Sequence, residues 1–145
     1  MNYSQIRVII YPSTKPKARN DMTRNELEAL LADSYGSTPE YPFERYPSIA
    51  VFKHGSNGKW FAAVMRISKS KLGIKEDGKI DIVNLKCATE IIDSLWQENG
   101  IYPAYHMNKA HWLSVCLDGS APDDTVQWLL EISYNLTKPK NKRCR

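Results

Sequence analysis

Between Ile49 and Lys86 the chain carries three apolar stretches joined by glycine-bearing turns, and this pattern leaves little choice but an antiparallel meander. The stretches run from Ile49 to His54, from Lys59 to Ser68 and from Lys79 to Lys86. Asn57-Gly58, inside the loop from Gly55 to Gly58, is a strong tight-turn signal. In the second stretch strict alternation places Phe61, Ala63, Met65 and Ile67 on one face. Trp60, Ala62, Val64 and Arg66 then fall on the other. A loop carrying Lys69, Lys71, Lys75 and Asp77-Gly78 leads into the third.

Helical signals flank the meander. Thr23-Arg24-Asn25-Glu26 is a capping box, Leu27, Leu30, Leu31 and Ser34 follow at helical spacing, and Gly36 supplies a stop. A middle helix is expected from Ala88 to Asn99, with Ile91, Ile92, Leu95 and Trp96 as its apolar stripe and Gly100 closing it. A connection through Pro103 then reaches a fourth strand, His111 to Leu117. There Leu113, Val115 and Leu117 share one face, and Trp112, Ser114 and Cys116 the other. For the last helix Ser120 is the expected N-cap, with Pro122, Asp123 and Asp124 in the first turn. Val126, Leu129, Leu130 and Ser133 line its inner face, and Pro139 stops it. The fold class is therefore α+β, an antiparallel sheet packed with helices at N-terminal, middle and C-terminal positions.

At 145 residues one domain is expected, large enough for a core of its own. It divides into an N-terminal extension (1–22) with a short strand at residues 6–11, a folded domain (23–137) and a basic tail (138–145). No apolar run approaches the ~20 residues of a membrane span, and the N-terminus has no signal-peptide core, so the expected location is cytoplasmic. The three cysteines, Cys87, Cys116 and Cys144, are scattered and form no CxxC pair, which fits unpaired thiols in a reducing compartment.

The net charge of +4 is unevenly spread. Arg7, Lys15, Lys17 and Arg19 outweigh Asp21 at one end, and the tail has cations only. The domain between is acidic overall, yet residues 53–79 form a basic island within it, seven cations against Glu76 and Asp77. Such a field steers anions, and it is equally the make-up of a solvated lysine-rich hairpin.

Several stretches carry a family resemblance. They are Tyr41-Pro42-Phe43, Ala50-Val51-Phe52-Lys53, Lys59-Trp60-Phe61-Ala62 and Val83-Asn84-Leu85-Lys86-Cys87. The sharpest is Tyr105-His106-Met107-Asn108-Lys109-Ala110-His111-Trp112, followed by Leu117-Asp118-Gly119. In this order they resemble the MmcQ/YjbR family from about Thr23 to Leu136. The resemblance implies a CyaY-like fold, helices on a twisted antiparallel sheet, and a double-wing DNA-binding role. Ala88 departs from the family pattern, where an aspartate would cap the middle helix.

Two candidate sites follow. In a DNA-binding wing, Lys53, Lys59, Arg66, Lys69, Lys71 and Lys75 would lie along phosphates, with His54 beside them. No helix is strongly basic, so a recognition helix in the major groove is not indicated and low sequence specificity is expected. Alternatively Lys86, His106, Asn108, Lys109 and Trp112 form a corner for a small ligand or a protein partner, with Trp112 available for stacking. The same residues also make an ordinary structured turn. No enzyme is expected: P-loop, GxSxG and dinucleotide fingerprints are missing, and Cys87 and Cys116 sit in apolar runs. No cofactor or metal is expected either. His106 and His111 lack the further ligands that zinc requires. An iron-binding ridge would need more acid than Glu26, Glu28 and Asp33 provide.

Overall fold

The computed structural model describes residues 22–140. The expected strand at 6–11 and the end of the basic tail lie outside them.

Helix α1 (Arg24–Tyr35) starts on the expected capping box. The Glu26 amide donates to Thr23 Oγ1 at 3.1 Å and the Thr23 amide donates to Glu26 Oε1 at 3.3 Å. Gly36 ends it at φ 61°, where only glycine sits without strain. The meander follows as β1 (Ala50–Lys53), β2 (Trp60–Ser68) and β3 (Lys79–Lys86), with a 3₁₀ turn, Lys69–Leu72, between the last two. After α2 (Thr89–Leu95) come β4 (Ile101–Pro103), β5 (Trp112–Cys116) and α3 (Asp123–Thr137). The sheet order is β1-β2-β3-β5-β4, antiparallel throughout.

The expected α+β class holds, with four local corrections. Strict alternation fails in β2 because a bulge sits opposite Phe52 and Lys53: Phe52 pairs with Ala62, but Lys53 pairs with Trp60. Phe61 is the extra residue. It joins Ala62 and Val64 in the helix-side core, while Trp60 goes to the far face with Ala63, Met65 and Ile67. β4 was unforeseen because its three residues include Pro103, tolerated only at an edge. α2 stops at Leu95 rather than Asn99. It has no side-chain cap at Ala88, and the Ser94 hydroxyl bonds back to the Ile91 carbonyl at 2.8 Å. At α3 the cap position is Pro122, and the Ser120 hydroxyl donates instead to Asp118 at 2.6 Å.

The three described helices all cover one face of the sheet. Leu27 and Leu31 of α1, Ile92 and Leu95 of α2, and Val126, Leu129 and Leu130 of α3 close over Phe52, Val64 and Leu85. The bulge leaves the end of the β2–β3 ladder open, and α3 fills it. The Ser133 hydroxyl accepts from the Lys86 amide at 2.9 Å and donates to the Phe61 carbonyl at 2.6 Å. Gly100 is required for a separate reason: a Cβ there would lie 2.7 Å from the Ala121 nitrogen.

The turn between β1 and β2 is clamped to the end of α3. The Asn57 amide donates to the Thr137 carbonyl at 3.0 Å. His54 Nε2 sits 2.9 Å from Thr137 Oγ1 and 3.1 Å from the Tyr134 carbonyl. Because the Thr137 hydroxyl donates to the Ser133 carbonyl at 2.8 Å, Nε2 carries the hydrogen and donates to both. The ring packs on Tyr134 and Phe61. His54 is therefore a buried clamp, not a phosphate ligand. Burial lowers its pKa from the ordinary value, partly offset by the bond to the Tyr134 carbonyl, with Lys138 adding to the depression.

A depressed pKa means that the unfolded chain takes up the proton first. The stabilisation is complete above about pH 6.5 and is lost as pH falls through the folded-state value. In urea unfolding between pH 8 and pH 5, the native chain should weaken relative to His54→Gln by at most about 1.4 kcal/mol per pH unit below pH 6.5. A constant difference across that range would show that His54 does not titrate on unfolding.

Candidate functional site

Among the described residues no helix covers the far face of the sheet. Val51, Met65, Ile67, Ile80, Ile82 and Cys116 are buried there, covered only by partly buried side chains such as Ile49, Leu72, Tyr102 and Tyr105. Leu72 comes from the 3₁₀ turn and Tyr102 from β4; two loop segments provide further cover and leave a cleft between them.

The first segment, residues 41–49, is held by a Glu40–Val51 bridge and by bonds from Tyr46 N to Phe43 O and Ile49 N to Tyr46 O. Arg24 of α1 ties it from outside, donating to the Ser48 carbonyl at 2.7 Å. This segment carries exposed aromatics: Tyr41, Phe43 and Tyr46 are 53%, 38% and 61% accessible. Phe43 meets Trp60 edge-on, with centroids 5.9 Å apart.

The second segment is the 105–108 turn. Asn84 and Ser114 face each other across β3 and β5, and both are fully buried. The Ser114 hydroxyl donates to Asn84 Oδ1, the Asn84 amide donates to the Tyr105 carbonyl at 3.0 Å, and the Tyr105 amide donates to Ser114 Oγ at 3.0 Å. Both backbone polar groups of Tyr105 are thus pinned to the sheet. The next residue, His106, is held at φ 61°, alone among the described non-glycine residues in the left-handed region. Its ring lies 4.1 Å from that of Tyr105.

Between the segments are two adjoining hollows that share Tyr46, Ile49, Met65 and His106. One, of about 280 Å³, is mainly apolar and includes Phe43, Trp60, Ala63, Asn84 and Met107 in its wall. The other, of about 380 Å³, runs towards Ser48, Ser68, Arg45, Lys71 and Lys79. A planar apolar group and a neighbouring anion could be held side by side.

The expected wing residues do not form one stripe. The two hairpins sit at opposite ends of the nine-residue β2, roughly 26 Å apart at the usual rise per residue. Lys53 pairs with Glu40 at 3.1 Å, Arg66 with Asp81 at 3.2 Å and Lys69 with Glu76 at 3.0 Å. The bond to Glu76 also holds the Lys69 ammonium above its ordinary pKa. Lys59 is exposed before β2, Lys75 borders an open hollow with Ser70 and Gly73, and Lys71 lines the cleft.

The expected ligand corner does not converge on the cleft either. His106 lines it. Lys86 and Trp112 oppose each other two residues farther along the same ladder, and Lys109 is exposed. Asn108 builds a turn, its Oδ1 accepting from the Ala110 amide at 2.9 Å and its carbonyl from His111 and Trp112. His111 Nδ1 lies 3.2 Å from Thr89 Oγ1. Sequence reasoning missed Arg45, Tyr46 and Phe43 as site residues. It also missed Asn84, although a lone amide in the apolar run from Ile80 to Leu85 is a readable signal.

A family model, YjbR, matches residues 32–136. The chain belongs to the YjbR family. The Bacillus subtilis protein YyaQ, itself uncharacterized, is 42% identical over 117 residues, 81% of this chain and 99% of its own length. The Escherichia coli protein YjbR is 40% identical over 62 residues, 42% of this chain and 52% of that protein. A Pseudomonas syringae protein solved by crystallography superimposes with a TM-score of 0.79 at 40% identity, over 81% of this chain and all of that one. A Deinococcus radiodurans protein gives 0.60 at 28% identity, over 81% and 79% of the two chains. The YjbR match takes in both loop segments of the cleft.

Two substitutions probe how the cleft is built. Asn84→Ala would leave the Tyr105 carbonyl without its donor and the Ser114 hydroxyl without its acceptor, and should cost about 2 kcal/mol in urea unfolding. His106→Gly should be more stable than His106→Ala by about 1 kcal/mol, because both remove the ring and only glycine accepts the left-handed backbone freely. Equal stabilities of the two His106 variants would show that the turn relaxes.

Proposed function

We propose that this protein binds DNA without catalysing a reaction, and that it does so at the cleft on the face of the sheet opposite the described helices. The observation that carries the reading is the meeting of exposed aromatics with cations at one place: Tyr46 and His106 border both hollows, and Arg45, Lys71 and Lys79 line the second. Cations bind the phosphate backbone at any sequence, and aromatic faces add base contacts of low specificity. This keeps the expected DNA-binding role and moves its centre away from the hairpin tips. Three of the six expected cations are already engaged with acids of the same chain, and the first hairpin is clamped to α3. A non-catalytic role is supported by the two described thiols. Burial, with Asp118 nearby, pushes Cys116 up to about 12, and burial also raises Cys87, so neither offers a thiolate near neutral pH.

The test is fluorescence anisotropy with labelled DNA across a salt series. Arg45→Glu/Lys71→Glu should weaken binding by at least about tenfold at low salt and flatten the salt slope by about two contacts. Lys53→Glu/Lys59→Glu should change it by less than about threefold, since surface charges away from the contact act only through a screened field. With three phosphate contacts, log Kd against log salt should have a slope of about 2 to 3. Equal losses in the two double variants would place the contact at the hairpins. Binding abolished by neutralising Lys142, Arg143 and Arg145 alone would assign it to the tail.

A further inference from the structure

The apolar hollow adjoins the cation-lined one and shares Tyr46, Ile49, Met65 and His106 with it. At about 280 Å³ it falls just under the range of pockets that enclose whole drug-sized ligands or cofactors. It suits one flat ring system. Its walls supply π-faces and a soft sulfur: Phe43, Trp60, Tyr46 and Met107. Two polar groups meet it, the imidazole of His106 and the amide of Asn84. A ring with polar edges, not a plain hydrocarbon, matches that lining.

The neighbouring hollow decides what such a ring would be attached to. Arg45, Lys71 and Lys79 lie along it, so an occupant of the apolar end carries negative charge a short distance away. A base with its own sugar-phosphate backbone has this composition. In a duplex the base is stacked and paired and enters a side pocket only at the cost of unstacking and unpairing, a few kcal/mol that a single strand largely avoids. Resting on the DNA reading above, we infer that the protein binds single-stranded DNA, with one unpaired base in the Phe43–Trp60–Met107 hollow and the adjoining phosphates at Arg45 and Lys71. Asn84 acts indirectly: fully buried, it pins the turn that presents His106 to the occupant. The left-handed backbone of His106 keeps its ring at the junction of the two hollows.

The full chain is titrated with a labelled 12-nucleotide single strand, with the same sequence as a duplex, and with a strand whose central nucleotides are abasic. Phe43→Ala/Tyr46→Ala is measured in parallel. Both side chains are exposed, so the variant should keep its fold, which circular dichroism checks. The normal strand should bind about tenfold more tightly than the abasic strand or the duplex, and the double variant should lose that advantage and bind the three probes alike. Equal affinity for normal and abasic strands overturns the base pocket and leaves the DNA reading standing. Failure of every probe to bind at low salt overturns both.

Discussion

The sheet is apolar on both faces, and the described helices cover only one. That imbalance shapes the rest of the molecule. Burying a large aliphatic side chain is worth about 2 kcal/mol relative to leaving it in water, so Val51, Met65, Ile67, Ile80 and Ile82 cannot be left bare. They are covered by irregular segments, which cannot pack as continuously as a helix because their own backbone polar groups need partners. The cleft is where that cover is incomplete. Its position follows from where the two segments can be tethered, one by Arg24 and the Val51 bridge, the other by Asn84 and Ser114.

The Asn84–Ser114 pair is an unusual investment in polarity at the middle of a sheet. A buried amide and hydroxyl gain little net stability even when fully bonded, and aliphatic replacements of matching shape would serve the core as well or better. What the pair adds is position. Hydrophobic contact alone would let the 105–108 turn slide, whereas two directional bonds to Tyr105 fix it in one register. Held backbone of this kind also sustains the left-handed His106, since strained conformations persist only where their surroundings over-determine them. The same logic runs on the helix side. Ser133 fills the ladder gap left by the bulge, and His54 and Asn57 clamp the neighbouring turn, each converting an irregularity into a defined geometry.

Much of the architecture was legible in the sequence, because it rests on local signals. The capping box at Thr23, the stop at Gly36, the inner face of α3 and the three meander strands all lie within a residue or two of where their patterns put them. The failures share a different cause. The Phe61 bulge depends on pairing with β1, the three-residue β4 exists only because β5 offers it an edge, and Ser120 loses its expected capping role to Asp118. Each is decided by a partner distant in space or by a competing hydrogen bond. The site shows the same division. His106 and Lys71 stood out as residue types, but Arg45 and Tyr46 gain their meaning only when the 41–49 segment folds across β2.

Charge was the property that a linear reading handled least well. Residues 53–79 form a basic island in the sequence, but an antiparallel ladder sets each cation beside residues from another strand. Asp81 lies in register with Arg66, Glu76 returns across its loop to Lys69, and Glu40 reaches Lys53 from before β1. Such exposed pairs add little stability, around 0–1 kcal/mol. Their larger effect is on the field: a paired lysine presents a dipole where a count of residues suggests a charge, and a dipole's field dies away faster with distance. What remains to attract an anion is set by cations whose acids lie elsewhere. Arg45 has no place in the basic island at all, yet folding brings it to the same cleft as Lys71 and Lys79. The grouping of cations at the aromatic cleft is therefore a product of the fold: Arg45 comes from outside the basic island, and Lys71 and Lys79 from within it.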